Sequence, residues 1–164
     1  MESKPPHILV IKFSALGDFI LALGAMEGIR RHHPDARITL LTTPAFADIA
    51  SQSRYFDHIW IEKRAPLYDL PAWASLARRL NITRFARVYD LQLNTRTRIL
   101  YHLFLKKPEW SGVIKGASHF YDNPGWRSMH AFTRHQEMLK LAGIDVKKPD
   151  ISWMKVDVSA LAPP

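Results

Sequence analysis

An acidic residue in a short turn is the first candidate for chemistry in this sequence. The apolar run HILVIK, residues 7–12, is followed by SALGD, which ends in Asp18 and leads into a mostly apolar segment. The run predicts a buried strand and the segment after it a helix, so Asp18 would lie at or near a helix N-terminus. The positive end of the helix dipole favours an ionised carboxylate there, and such a carboxylate is a suitable general base for a hydroxyl. Capping of the helix is the alternative explanation, since Asp is a favoured N-cap residue.

The turn before Asp18 and the composition of the chain argue against several kinds of site. Gly17 allows a positive φ or a close backbone approach in the turn. The turn lacks the glycine spacing of dinucleotide-binding and P-loop motifs, although a helix N-terminus can still hold an anion. The chain contains no cysteine, which excludes disulfides and thiol catalysis, and no spacing of His, Asp and Glu suggests a metal site. We therefore expect no metal and no bound cofactor.

The elements that must position these residues alternate between strands and helices. A length of 164 residues suggests one domain with a full core. The predicted strands cover residues 7–12, 37–43, 57–62, 85–92 and 110–116. The predicted helices cover residues 19–31, 44–52, 71–81, 95–105 and 128–143. This alternation predicts an α/β fold, a Rossmann-like parallel sheet with helices on both faces.

In such a sheet the functional site lies beyond the carboxyl ends of the strands. The predicted loops at that edge collect most of the polar and basic candidates: Lys12, Ser14, Asp18, Lys63, Arg64, Gln92, Asn94, Arg96, Lys115, His119 and Arg127. Each basic residue has a plainer interpretation as part of a solvated loop, and Ser14 as a residue that hydrogen-bonds within the turn.

The charge balance is basic, with 23 Lys and Arg against 15 Asp and Glu, a net charge of +8. This surplus favours an anionic partner such as nucleic acid or a phosphorylated lipid, although it also lies within the range of an ordinary soluble surface. No recognition helix, RNP-like aromatic strand or zinc spacing supports nucleic-acid binding, so we expect none. A non-catalytic module that binds polyanions remains the alternative function.

Three stretches resemble glycosyltransferase family 9, the lipopolysaccharide heptosyltransferases. The most specific is ILVIKFSALGDFILALGAMEGIRRHHPDARITLLT, residues 8–42, which has the order of that family's first strand, Lys, Leu-Gly-Asp turn and first helix. ARVYDLQLNTRTRIL, residues 86–100, is similar to its fourth-strand segment, and HAFTRHQEMLKLAGI, residues 130–144, to a helix that contains histidine. NTRTR departs from the usual glycine-containing continuation after Gln92.

The resemblance implies the N-terminal half of an inverting GT-B glycosyltransferase that needs no metal. In this family the N-terminal half binds a lipid-borne sugar acceptor, and the C-terminal half binds a nucleotide-sugar donor, typically ADP-heptose. The position of the proposed base is Asp18 here. We expect residues 1–145 to form the acceptor-binding domain and residues 146–164 to be an interdomain linker or the start of a donor domain absent from this chain.

The resemblance also indicates the partners. We expect an acceptor from the lipopolysaccharide core or another lipid-linked sugar, and a location in the cytoplasm at the inner face of the membrane. No secretory signal is predicted at the N-terminus. Because the core acceptor carries phosphates and acidic sugars, the expected acceptor-binding residues are mostly basic or polar: Lys12, Ser14, Gly17, Lys63, Arg64, Gln92, Arg96, Lys115, Arg127 and His130.

Overall fold

The computed structural model describes residues 4–154. Its strands are β1 (His7–Ile11), β2 (Arg37–Thr42), β3 (His58–Ile61), β4 (Arg87–Asp90), β5 (Glu109–Gly112) and β6 (His119–Phe120). Its α-helices are α1 (Leu16–His32), α2 (Ala47–Ser53), α3 (Leu70–Thr83), α4 (Thr95–Leu103) and α5 (Ala131–Lys140). Two single 3₁₀ turns, Pro44–Phe46 and Trp126–Ser128, precede α2 and α5.

The strands form one parallel sheet in the order β3-β2-β1-β4-β5-β6. Strand alternation divides the core into two layers. Ile8 and Val10 of β1 face the layer that contains α1, α2 and α5, whereas Leu9 and Ile11 face the layer that contains α3 and α4. The predicted Rossmann-like sheet with helices on both faces is therefore confirmed.

Several predicted boundaries are wrong. Helix α1 begins at Leu16, three residues earlier than predicted, so Asp18 lies inside its first turn. Gly17 is helical and has no positive φ, and a Cβ added to it would meet nothing within 4 Å. The turn therefore requires neither a positive φ nor a close backbone approach at this position, contrary to the prediction. The predicted loop 117–127 contains the short strand β6, which pairs with β5.

The start of α5 also differs from the prediction. The helix is predicted from residue 128, but Ser128 ends a 3₁₀ turn and His130 is the N-cap residue. Gly143, with φ of 77°, follows the helix in the left-handed region, where glycine is favoured.

The segment after α5 packs back onto α1. Ile144 and Val146 are buried, and the Val146 carbonyl accepts a hydrogen bond from Gln136. Gly24 of α1 lies under this segment, and a Cβ there would overlap the carbonyl oxygen of Lys147. The assignment of residues 146–164 as an interdomain linker stays a prediction, and residues 155–164 lie outside the described residues.

The contact at Gly24 makes a stability prediction. We expect Gly24→Ala to lower the free energy of unfolding by about 1–3 kcal/mol, because the added methyl must displace backbone at residue 147. Gly17→Ala is the matched control and should cost nothing, since the space around it is open. Urea unfolding of the two variants measures both effects, and equal stabilities would contradict the packing described.

Candidate active site at the carboxyl edge of the sheet

Asp18 projects an exposed carboxylate from the first turn of α1. The N-cap residue is Ala15, so helix capping, the alternative explanation for Asp18, is wrong. Lys12 and Arg134 both interact with it electrostatically. Within residues 4–154 the carboxylate forms no hydrogen bond or ion pair, so it is available to a ligand from solvent.

The turn before Asp18 is held by the side chain of Gln92. Its Oε1 atom accepts hydrogen bonds from the backbone N–H groups of Phe13 at 2.8 Å and Ser14 at 3.1 Å. Its Nε2 atom lies 3.4 Å from the hydroxyl of Ser14. These bonds explain the position of Gln92 and Ser14 beside Asp18, and acceptor binding by either residue stays a prediction.

Lys12 lies beneath this turn rather than on its surface. The residue is 2% exposed, which is unusual for a lysine. Burial lowers its pKa to about 8; the carboxylates of Asp18 and Asp90 act in the opposite direction, and Arg134 in the same direction. Lys12 is therefore a buried cation between two acids, and its predicted contact with an acceptor is untested.

Asp90 is a buried acid that sequence reasoning did not select. Its Oδ1 atom accepts backbone hydrogen bonds from Gln92 and Leu93 at 3.0 and 2.9 Å, whereas Oδ2 has no hydrogen-bond partner among the described residues. Burial raises the pKa of Asp90 to about 6, although the backbone hydrogen bonds, the Thr97 side chain and the charge of Lys12 lower it. The sequence VYDLQ offered a signal for this residue, because Asp90 is an acid at the end of a buried strand.

His135 and Arg134 were also missed. The resemblance pointed to His130, which is exposed at the start of α5, but the histidine beside Lys12 is the buried His135. Its Nε2 atom lies 3.2 Å from the carbonyl oxygen of Leu91, so Nε2 carries the proton and donates. Burial lowers the pKa of His135 to about 3, and the charge of Lys12 adds to this effect.

A cavity of about 410 Å³ opens beside the turn. It brings together three of the predicted residues, Ser14, Lys63 and Arg64. Arg64 donates a hydrogen bond from Nη2 to the carbonyl oxygen of Phe13 at 3.2 Å, which ties the loop after β3 to the turn. The other lining residues are Phe13, Thr43, Pro44, Ala45, Phe46 and Glu62. A wall with two cations suits an anionic or phosphorylated ligand.

Arg96 has a structural role in this arrangement. It forms a two-point ion pair with Glu62, with Nη2–Oε1 at 2.6 Å and Nε–Oε2 at 2.9 Å, and both side chains are mostly buried. Its Nη1 atom donates to the carbonyl oxygen of Ala65, and the guanidinium lies over the ring of Trp73. Because these partners occupy the guanidinium, the geometry does not favour the predicted contact between Arg96 and an acceptor.

Arg127 and Lys115 lie farther along the same edge. Arg127 lines a second cavity, of about 250 Å³, together with Asp90, Arg98 and Trp126, and its guanidinium lies over the Trp126 ring. Lys115 is exposed on the loop after β5 and lines neither cavity. Among residues 4–154, no three His, Asp or Glu side chains come close enough together to hold a metal ion.

Solved structures provide the comparison for this arrangement. A glycosyltransferase family 9 structure from Veillonella parvula DSM 2008 matches with a TM-score of 0.70 at 21% identity, over 88% of this chain and 43% of that one. The E. coli heptosyltransferase WaaC with ADP matches with a TM-score of 0.62 at 17% identity, over 88% and 49%. WaaC with ADP-2-deoxy-2-fluoro heptose matches with a TM-score of 0.63 at 16% identity, over 90% and 51%. No family model and no curated protein matches.

These similarities define the class of fold. The chain has the Rossmann-like α/β fold found in GT-B glycosyltransferases, and the predicted resemblance to family 9 is confirmed at the level of the fold. The chain spans about half the length of the solved structures it matches.

The hydrogen bonds of Gln92 make the second prediction. Gln92→Ala would leave the N–H groups of Phe13 and Ser14 without their acceptor, which should cost about 1–3 kcal/mol and accelerate amide exchange at both positions. Gln92→Glu keeps an oxygen at the same place and should retain most of the protection. Native-state hydrogen exchange distinguishes the variants, and unchanged exchange in the alanine variant would refute this account of the turn.

The buried imidazole makes a prediction about pH. Since the pKa of His135 is lowered in the folded protein, its contribution to stability is present above about pH 6.5 and is lost as the pH falls towards 3. His135→Gln keeps a donor towards Leu91 but does not titrate. Urea unfolding between pH 7 and 5 should show wild type losing stability relative to this variant, approaching about 1.4 kcal/mol per pH unit. If the difference in free energy of unfolding between the two proteins does not change with pH, His135 is not a buried, neutral imidazole.

Proposed function

We propose that this chain is the acceptor-binding, base-bearing half of an inverting glycosyltransferase. The observation that carries the proposal is the exposed Asp18 carboxylate, held at the carboxyl edge of the sheet beside a cavity lined by Lys63 and Arg64. In open parallel α/β sheets this edge is where ligands bind. The fold shared with glycosyltransferase structures supports glycosyl transfer as the reaction class.

The chemistry follows from the position of Asp18. Its carboxylate accepts the proton of an acceptor hydroxyl while the hydroxyl oxygen attacks the anomeric carbon of the donor sugar. The new C–O bond forms on the face opposite to the breaking bond to the nucleotide diphosphate, so the anomeric configuration inverts. The leaving group departs with the electron pair of the broken bond. No step requires a metal or a bound cofactor from this chain.

The proposed substrates follow the family resemblance. The donor would be a nucleotide-linked heptose, with ADP-heptose as the first choice, bound mainly by a partner domain across the edge from Asp18. The acceptor would be a lipopolysaccharide core or another lipid-linked sugar at the inner face of the cytoplasmic membrane. Lys63 and Arg64 line one cavity and Arg127 the other, and we propose that they bind its anionic groups. No helix among residues 4–154 has both the length and the apolar character to cross a membrane.

The alternative, a non-catalytic module for polyanions, has less support. Exposed basic residues occur at both edges of the sheet, since Arg78 and Arg84 lie at the C-terminal end of α3 while Lys63 lies at the opposite edge. Nucleic-acid binding would favour one continuous basic face. A general base in an open cleft explains the exposure of Asp18, whereas polyanion binding does not.

The assignment of Asp18 makes the functional prediction. We expect Asp18→Asn, introduced at the native locus, to reduce sugar transfer in cell extracts by about 10²–10⁴-fold, the usual contribution of a general base. The assay supplies ADP-heptose and a heptose-deficient core lipid and detects the product by mass. The melting temperature of the purified variant should fall by no more than a few degrees, because within residues 4–154 Asp18 forms no hydrogen bond or ion pair and contributes only through the helix dipole and the charges of Lys12 and Arg134.

Asp35→Asn is the control for this experiment. Asp35 is also an exposed acid, but it lies in the turn between α1 and β2 at the opposite edge of the sheet. This variant should transfer sugar normally. Near-normal turnover by Asp18→Asn would overturn the proposed mechanism, and tight, salt-dependent binding of DNA by the wild type would favour the alternative.

A further inference from the structure

The loop that connects β3 to α3 exposes apolar side chains beside the candidate site. Leu67, Tyr68 and Leu70 are 66%, 84% and 71% exposed, respectively. Leu70 is the first residue of α3, and the other two lie in the loop just before it. Three large apolar residues within four positions form a patch that requires an explanation, unlike isolated exposed residues. We call residues 67–70 the apolar tip.

The backbone beneath the apolar tip is firmly held. Arg96 donates to the carbonyl oxygen of Ala65 at 3.0 Å, and the indole of Trp73 donates to the carbonyl oxygen of Pro66, also at 3.0 Å. The N–H of Asp69 donates to the same Pro66 oxygen. These bonds fix the base of the loop in the arrangement that leaves the apolar side chains in solvent.

The basic residues next to the apolar tip are unpaired, whereas the acidic ones have partners within the fold. Lys63 and Arg64 precede it, and neither forms an ion pair in the described part of the chain. The two acids of the segment have partners: Glu62 is paired with Arg96, and Asp69 accepts a hydrogen bond from Ala72 as the cap of α3. An apolar tip next to uncompensated cations complements the surface of an anionic bilayer, where Tyr is favoured at the level of the headgroups.

The loop also connects this surface to the candidate site. Its first residues, Glu62, Lys63 and Arg64, line the cavity beside Ser14. Arg64 in turn bonds to the carbonyl oxygen of Phe13, in the turn that leads to Asp18. A bilayer contacted by the apolar tip would therefore lie at the same edge of the sheet as the carboxylate.

We propose that the apolar tip, with Lys63 and Arg64, is the surface by which this protein docks onto a bilayer rich in anionic phospholipid. This docking rests on the proposed function only because a lipid-linked acceptor would lie in the same bilayer. The tip enters the headgroup region while the two cations remain at its surface. The protein thereby presents Asp18 towards the membrane interface without crossing the bilayer.

A second apolar surface provides an internal control. Leu105 is 91% exposed and Ile82 66% exposed, and both line a groove with Arg78 and Arg84 at the opposite edge of the sheet. Its composition is also apolar and basic, but docking through it would turn Asp18 away from the membrane. Composition alone does not separate the two surfaces, whereas their positions relative to Asp18 do.

The absence of cysteine allows a direct test. Leu67→Cys and Leu105→Cys, each labelled with an environment-sensitive fluorophore, are mixed with vesicles of 30% phosphatidylglycerol in phosphatidylcholine. We expect the label at position 67 to shift to shorter wavelength and brighten, while the label at position 105 does not change. A response at position 105 alone, or at neither position, would overturn the proposal.

A binding measurement separates apolar insertion from charge attraction. Substituting Ser at Leu67, Tyr68 and Leu70 together should weaken vesicle co-sedimentation by about 10- to 100-fold, whereas Ile82→Ser with Leu105→Ser should leave it unchanged. Equal binding by wild type and the triple variant would show attraction by charge alone and refute the role of the tip. Asp18→Asn should bind vesicles normally, so failure of docking and failure of catalysis remain distinguishable.

Discussion

The site depends on one side chain that joins two neighbouring strands. Gln92, two residues after β4, satisfies the backbone N–H groups of Phe13 and Ser14 in the turn after β1. Without this acceptor, two donors at the mouth of the sheet would need water or a different turn. Because α1 begins at Leu16, directly after the turn, the path of these residues sets the direction in which Asp18 points. The parallel pairing of Ile11 with Asp90 is what brings Gln92 within reach.

Beneath this turn, buried charges of opposite sign are placed near one another. Lys12 lies between the acids Asp18 and Asp90, and the neutral His135 occupies the adjoining space. Burial of an isolated lysine or aspartate is unfavourable, and mutual attraction offsets part of that cost. The shifted pKa values of both residues show that burial is the larger effect. The exposed carboxylate of Asp18 interacts with the buried Lys12, a cation that is already in place before a ligand arrives.

Local patterns predicted the elements better than the contacts between them. The apolar runs located β1 and β2, and the helical periods located α1, α3 and α4 within a few residues. The same patterns did not show that α1 begins before Asp18, because a Leu-Gly pair is compatible with a turn or with a first helical turn. Arg96 and Lys63 looked alike in the sequence, yet a partner 34 residues away, Glu62, gives Arg96 its structural role. His135 was overlooked because its hydrogen-bond partner, the carbonyl group of Leu91, follows β4 and is 44 residues away in the sequence.

The basic side chains of residues 4–154 therefore fall into two groups, those paired with an acid and those without an acidic partner. Arg30 and Arg87 pair with Asp57 and Glu109 near the amino ends of the strands, and Arg96 pairs with Glu62 at the carboxyl edge; these arginines hold elements together. Lys63 and Arg127 at the carboxyl edge have no acidic partner within residues 4–154, and both line cavities there. Because an unpaired surface cation keeps its full attraction for an incoming anion, whereas a paired one has lost most of it, the second group determines what the edge can bind. Net charge alone does not distinguish the paired from the unpaired basic residues, whereas the positions of their acidic neighbours do.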